Sequence, residues 1–339
     1  MTRVCASPVR WGMLGCGNVA ETKSGPALKR AERSTLMAVM SRRGDRAQDY
    51  ARRHGAARWY DDAAALIADP DVDAVYIATP PDSHCEYALA CARAGKAAYV
   101  EKPMGRTHDE CVRMNRAFEA AGLPLFVAYY RRALPRFCAV KELVDGGAIG
   151  VPRFVRVTLT RPVADAERDV DHLPWRVVPE VSGGGRFVDL GSHALDFLDW
   201  VLGPIAEATG VASNQAALYL AEDTVSCALR FGSGAVGSGV FCFLAQSSVD
   251  VVEISGDKGT LEVSLFADGP VRLTTSRGVE ERFIAHPAHV QQPLIQMVVD
   301  DLCGLGRCPS TGQTAARTSY VIDRILQGYR QLANPTRPA

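Results

Sequence analysis

A chain of 339 residues exceeds the length at which one hydrophobic core usually stops growing, so division into two domains is expected. With 47% apolar and 22% charged residues, and no apolar run near the ~20 residues of a membrane span, the sequence reads as a soluble globular protein rather than a membrane protein. Basic and acidic residues balance at 38 each with no basic run, which excludes nucleic acid and anionic membrane as expected partners and leaves small molecules.

Arg3 opens the chain, but the short apolar stretch after it runs into Arg10 and a glycine pattern instead of a cleavage site, so no targeting peptide is expected. Ten cysteines (5, 16, 85, 91, 111, 138, 227, 242, 303 and 308) form no CxxC pair and have no histidine at ligand spacing. Zinc, or any other metal, and a disulfide framework are therefore not expected, and the reducing cytoplasm is the expected compartment.

Val9–Leu14 is a short β-type run, Asn18–Arg30 has helical composition, and Leu36–Met40 is a second apolar run, together one βαβ unit. The alternation continues through helices at Gly44–His54 and Asp61–Ala68, a strand at Ala74–Ala78 and a helix at Ser83–Ala94. A strand at Ala97–Val100, a helix at His108–Ala121 and a strand at Leu125–Ala128 follow. Strands alternating with helices predict a parallel sheet covered on both faces. Beyond Ala128 the runs Arg153–Thr160, Thr224–Phe231, Ala235–Phe243, Val249–Ser255 and Thr260–Val263 succeed one another with few helices between. Their alternation of apolar and polar residues predicts a largely antiparallel sheet with one solvated or oligomerising face. A helix at Val188–Leu202 and one or two more after Gln291 are expected on its other face, and Asn334–Ala339 is expected to fray. The fold class is thus α/β, with a parallel strand–helix domain over 7–128 and an α+β domain with a mostly antiparallel sheet over 129–333.

Gly15-Cys-Gly-Asn-Val-Ala20 fits GxGxxG/A between a predicted strand and a predicted helix. Gly15 permits the tight turn, Gly17 lets the backbone approach a pyrophosphate, and Ala20 allows close helix packing; Asn18 and Val19 complete the loop at a helix N-terminus that favours negative charge. The second strand ends at Met40-Ser41-Arg42-Arg43, without the acidic residue that holds the ribose 2′-hydroxyl of NAD. Ser41 and Arg42 suit a 2′-phosphate, so NADP is the preferred expectation and NAD the alternative.

Three further motifs stand in order: Ala78-Thr79-Pro80-Pro-Asp-Ser-His84, Glu101-Lys102-Pro103, and Gly183-Gly-Gly-Arg-Phe-Val-Asp189-Leu-Gly-Ser-His193 with Asp196 after it. With the glycine loop, Tyr130-Arg131-Arg132 and Trp175-Arg176, this set resembles the glucose-fructose oxidoreductase, inositol dehydrogenase and rhizopine-catabolism family, Gfo/Idh/MocA, over nearly the whole chain. The resemblance implies a Rossmann dinucleotide-binding domain over 7–128, a substrate-binding and oligomerisation domain with a large open sheet over 129–333, redox chemistry at a hydroxyl or carbonyl carbon of a sugar, cyclitol or related polyol, and a homodimer or homotetramer formed through that sheet. It implies Lys102, Asp189 and His193 as catalytic residues, with Thr79, Pro80, Glu101 and Pro103 near the cofactor and Tyr130, Arg131, Trp175 and Arg176 as substrate contacts beside the catalytic three. His84, just past the turn near the cofactor crevice, reads as structural or cofactor-adjacent rather than catalytic.

Elementary chemistry agrees. A strand end in an open parallel sheet faces the ligand crevice, so Lys102 suits polarisation of a carbonyl or stabilisation of an alkoxide. Lysine is scarce here, six against thirty-two arginines, which makes one at this position less ordinary. Asp189 and His193 stand at i, i+4 with Asp196 three further on, which predicts one polar helix face toward a cleft, with Leu190, Leu198 and Val201 on the other. Histidine suits proton exchange with a substrate hydroxyl, and a nearby carboxylate suits its orientation. Two alternatives remain open at this point: a non-catalytic dinucleotide-binding regulator of the same fold, or another enzyme on the same frame, such as a dihydrodiol dehydrogenase or a reductase of an unsaturated ring.

Overall fold

A computed structural model describes residues 8–333. It divides into two compact units: the chain up to Leu134 together with His286–Ala316, and Pro135–Ala285 together with the chain from Arg317.

In the first unit the elements are β1 (Val9–Leu14), α1 (Gly25–Arg30), β2 (Ser34–Met40), α2 (Gly44–His54), β3 (Arg58–Tyr60) and α3 (Ala63–Ala68). They continue as β4 (Ala74–Ile77), α4 (His84–Arg93), β5 (Ala97–Val100), α5 (His108–Ala121) and β6 (Leu125–Val127). The strands pair in parallel in the order β3-β2-β1-β4-β5-β6. Alternate residues feed two cores. Trp11, Met13, Tyr76 and Tyr99 pack on one face, and Leu14, Val75, Ile77 and Val100 on the other. Local signals set the helix ends: Asp62 accepts from the N–H groups of Ala64 and Ala65 ahead of α3, Thr107 accepts from Glu110 N–H ahead of α5, and left-handed Gly55 and Gly122 close α2 and α5. The strand order reverses between β1 and β4, the switch point at which open α/β sheets take ligands.

The second unit opens with α6 (Pro135–Asp145) and β7 (Pro152–Thr160), then α7 (Pro179–Ser182), α8 (Ser192–Leu202) and β8 (Ile205–Ser213). There follow β9 (Thr224–Phe231), β10 (Val236–Cys242), β11 (Val249–Gly256), β12 (Gly259–Val263), β13 (Val271–Thr275) and β14 (Gly278–Arg282). Its sheet runs β14-β13-β12-β11-β7-β10-β9-β8, antiparallel throughout except for the β7–β10 pair. Strict alternation builds it: Val225, Cys227, Leu229 and Phe231 of β9 are buried, while Val211, Val236, Val240 and Val251 lie on exposed positions.

The last helices are α9 (Gln292–Leu302) and α10 (Gly312–Ala333). Here the structure corrects an expectation. Leu294, Ile295, Val298 and Val299 of α9 bury against Val9, Trp11 and Leu28, in the core of the parallel sheet and not on the large one. An apolar helix face fits any sheet with a matching hollow, and the sequence pattern does not say which. Only α10 joins the large sheet, where Ile325 fills the space above Gly210 of β8. No helix among the described residues is long and apolar enough to cross a membrane.

Candidate active site

Two short π-helical segments interrupt the helices at the two motif regions, a distortion frequent at functional sites. Ala20–Ser24 follows the glycine loop, and Phe187–Gly191 carries Asp189.

In the first unit Gly15 follows β1 with φ of 103°, and a Cβ there would lie 2.8 Å from the carbonyl oxygen of Ala78, just past β4. Only glycine permits this approach. Gly17, by contrast, has open space where a side chain would stand, and Asn18 is exposed beside it, so no described residue fills the space next to Gly17 at the helix start. A cavity of 470 Å³ opens along Gly17 and Asn18 toward Arg46 and Arg53 of α2, two cations not singled out in the sequence. Gly15 N–H donates to Met40 O, which brings the end of β2, with Ser41 and Arg42, against the loop.

The turn after β4 and the turn after β5 are tied together by His84. It is fully buried, with Nε2 2.7 Å from Thr79 O and Nδ1 3.0 Å from Pro103 O. Burial pushes its pKa below the ordinary histidine range despite these carbonyls. A buried brace fits the structural reading of this residue. Glu101 is turned inward as well: its Oε1 accepts from the Tyr76 hydroxyl and the Gln291 amide, each at 2.6 Å, and its Oε2 accepts from Lys102 N–H. Glu101, buried at 8% exposure, thus holds the turn that presents half-buried Lys102, and the Lys102–Pro103 bond is cis. Gln291 gave no sequence signal, because its role arises only when the chain returns to this unit. Tyr130 and Arg131 lie on a 3₁₀ turn of the same unit. Arg131 is buried with its guanidinium 5.2 Å from the Tyr130 ring centre, and Lys23 Nζ is 6.0 Å from that ring.

In the second unit the structure brings Trp175, Arg176 and Asp189 together. Asp189 Oδ2 lies 3.4 Å from Arg176 Nε and 3.6 Å from Arg186 Nη1, and the Arg176 guanidinium stands 4.4 Å from the Trp175 ring centre. Arg186 in turn pairs with Glu167, which is 1% exposed. His193, one turn on, is buried, with its ring edge-to-face against Phe266 at 5.8 Å. The expected polar stripe does not extend to Asp196, which is 1% exposed and accepts from the Thr318 hydroxyl; of the apolar face, Leu190 is half-exposed. Two causes produce the difference. The π-helical turn advances the phase between 189 and 196, and α8 is buried almost all round.

The triple-glycine turn ahead of Asp189 is pinned from two sides. Gly185 N–H donates to Glu222 Oε1 at 2.7 Å, and the Gly183 carbonyl accepts from Arg330, itself paired with Asp323. A Cβ on Gly185 would come within 2.4 Å of Glu222 O, so the close approach of the backbone at Glu222 demands glycine at this position. Glu222 is buried at 1% exposure, and desolvation pushes its carboxyl up to about 7. Glu167, Glu222 and Arg330 lie outside the motif in sequence, and no local pattern marks them, whereas Arg186 stands within it. Among the described residues no group of three or more His, Cys, Asp or Glu is arranged to hold a metal ion.

A glycine loop at the switch point of a six-stranded parallel sheet, in one chain with an eight-stranded open sheet bearing a DxxxH helix, defines a dinucleotide-binding oxidoreductase. The NAD-binding Rossmann-fold model of the oxidoreductase family matches residues 9–129, and the GFO/IDH/MocA C-terminal domain model matches 137–262. The chain belongs to the GFO/IDH/MocA oxidoreductase family. It is 36% identical over 324 residues to oxidoreductase P35 of Formosa agariphila, covering 94% of this chain and 98% of that one. It is 30% identical to the myo-inositol 2-dehydrogenase of Thermotoga maritima, over 80% of this chain and 79% of the relative. The aldose-aldose oxidoreductase of Caulobacter crescentus, solved with glycerol, superimposes with a TM-score of 0.85 at 25% identity, covering 95% and 98% of the two chains.

Proposed function

We propose that this protein transfers hydride between a nicotinamide cofactor and a hydroxyl or carbonyl carbon of a sugar, cyclitol or related polyol. The bound nicotinamide would accept or supply the hydride. Lys102 polarises the reacting oxygen, His193 exchanges the proton of the substrate hydroxyl, and Asp189, shared by Arg176 and Arg186, fixes the start of the helix that carries His193. Trp175 and Arg176 contact the substrate. The observation that carries this reading is the bracing of the Lys102 turn, where Glu101 and His84 direct their polar atoms into scaffold bonds. A purely structural lysine has no need of such support. Titration of the purified protein with NADPH and NADH, then a turnover screen over sugars, keto-sugars and inositols followed by nicotinamide absorbance, tests it. Binding with turnover is expected; tight cofactor binding with no turnover of any member would instead favour a dinucleotide-sensing regulator.

NADP is the preferred cofactor in this reading. Arg43 is occupied by Asp45 at 2.7 Å, whereas the exposed Arg42 makes no ion pair among the described residues and can meet a 2′-phosphate. Arg42→Ala is expected to weaken NADPH by roughly tenfold or more and to leave NADH within about twofold. Equal losses for both cofactors in a fluorescence titration would remove the 2′-phosphate role.

The open face of the large sheet, with Val236 at 53% and Val240 at 46% exposure in β10, supports a homodimer or homotetramer that covers it. Val240→Glu is expected to reduce the light-scattering mass to that of one chain at micromolar concentration; an unchanged mass would place the contact elsewhere.

A further inference from the structure

The segment from Ser264 to Gly269, between β12 and β13, has no regular structure yet is held by bonds on both sides. The Asp250 carboxylate accepts from the N–H groups of Leu265, Phe266 and Ala267 at 3.0, 2.6 and 2.8 Å. Arg136, 1% exposed, donates to the carbonyls of Ser264, Ala267 and Gly269 at 3.1, 3.0 and 3.2 Å. Six backbone groups are thereby satisfied by two buried or half-buried charges, so the position of Phe266 is fixed by the scaffold. Its ring meets His193 edge-to-face at 5.8 Å, and the Arg161 guanidinium carbon stands 4.9 Å from the same ring centre. Arg161 follows directly on β7, and its backbone is bonded both ways, N–H to Cys242 O and carbonyl from Ala245 N–H.

Unlike Arg176 and Arg186, Arg161 has no anionic partner among the described residues. Arg176 and Arg186 share Asp189, Arg186 pairs with Glu167, and the terminal nitrogens of Arg136 donate to carbonyls. The half-buried Arg161 guanidinium has no hydrogen bond or ion pair among the described residues, only the aromatic ring. Partial burial of a cation without a counter-charge is unfavourable unless a ligand supplies one. A guanidinium over an aromatic face keeps its in-plane N–H donors available, in the fork geometry that matches a carboxylate.

We infer that Arg161 and Phe266 form a carboxylate-binding subsite one aromatic ring away from His193, and that the substrate is a sugar acid rather than a neutral polyol. The inference rests on the proposed role of His193. One guanidinium balances one carboxylate; a phosphate dianion would call for a second cation, and the neighbouring arginines already have theirs.

Calorimetric titration of the full chain, loaded with NADP, by D-glucuronate, D-gluconate, D-glucose and glucose 6-phosphate tests the subsite, with turnover measured in parallel. At least tenfold tighter binding of a sugar acid than of glucose is expected in the wild type. Arg161→Ala should lower sugar-acid affinity roughly 10- to 100-fold and leave glucose within about twofold, and Arg161→Lys should recover only part of it. Equal effects on acid and glucose, no preference for acids in the wild type, or a tighter Arg161-dependent binding of glucose 6-phosphate would each overturn the assignment. Acid binding that depends on Arg161 without turnover of any sugar would uphold the subsite and defeat the hydride-transfer reading. Turnover of neutral sugars that is indifferent to Arg161 would do the reverse.

Discussion

Lys102→Ala is expected to lower kcat by roughly 10²-fold or more while cofactor affinity stays within a few-fold of wild type, as for loss of a positioned acid or oxyanion donor. The turn carrying Lys102 does not depend on the lysine side chain: Glu101 is anchored on Tyr76 and Gln291, and His84 spans Thr79 and Pro103. Truncation should therefore remove a charge and leave the backbone around the nicotinamide end in place. Because the lost interaction belongs to the transition state, kcat and kcat/KM should fall together with KM little changed. Lys102→Arg should not restore the rate, since a bulkier planar guanidinium replaces a compact point charge. Steady-state kinetics beside a cofactor titration decide it. Full turnover in the alanine variant would end the assignment, and a parallel collapse of cofactor binding would recast Lys102 as part of the binding surface.

Several elements of both units were legible because their signals are local. β1, α2, β5, α5 and β9 coincide with their apolar runs and helical stretches, and the glycine loop is required by a backbone conformation that residue 15 must adopt. Strands of low contrast were not legible. Arg58–Tyr60, Ile205–Ser213 and the terminal hairpin Val271–Arg282 carry exposed and polar residues because they lie at sheet edges, and the helix Pro135–Asp145 was likewise unmarked. Nor does any periodicity announce the π-helical turn at Phe187–Gly191, which is why the stripe from Asp189 through Asp196 was drawn on a regular helix. The motif residues themselves emerge from sequence, but their supports do not. Glu101 reads as a cofactor contact until Gln291 arrives from the other end of the chain, and Asp189 reads as the carboxylate that orients His193 until Arg176 and Arg186 close on it. Such partners are fixed by tertiary packing, in which a residue 190 positions away counts as much as a neighbour.

The same distant support makes Glu222 the strongest handle on stability. Its carboxyl is buried beneath the triple-glycine turn, accepts from Gly185 N–H, and faces Arg330 of α10, with Tyr219, Asp223 and Tyr329 as further neighbours. Desolvation outweighs the backbone donors and Arg330, so the group ionises near 7 when folded and at its ordinary value of 4.5 when unfolded. The unfolded chain then releases its proton first as pH rises. The contribution of the neutral carboxyl is complete below pH 4.5, declines between 4.5 and 7, and is gone above that, a change of about 3 kcal/mol. Glu222→Gln keeps an oxygen for Gly185 N–H and cannot ionise. Relative to wild type it should gain up to about 3 kcal/mol in stability between pH 4.5 and pH 8, read from urea midpoints across that range. Parallel curves for the two proteins would show that the carboxyl is already ionised in the fold, held by Arg330 and the glycine turn. The expected divergence would mean that the turn ahead of Asp189 is held by a neutral acid, and that ionising it above neutral pH loosens the backbone leading into the DxxxH helix.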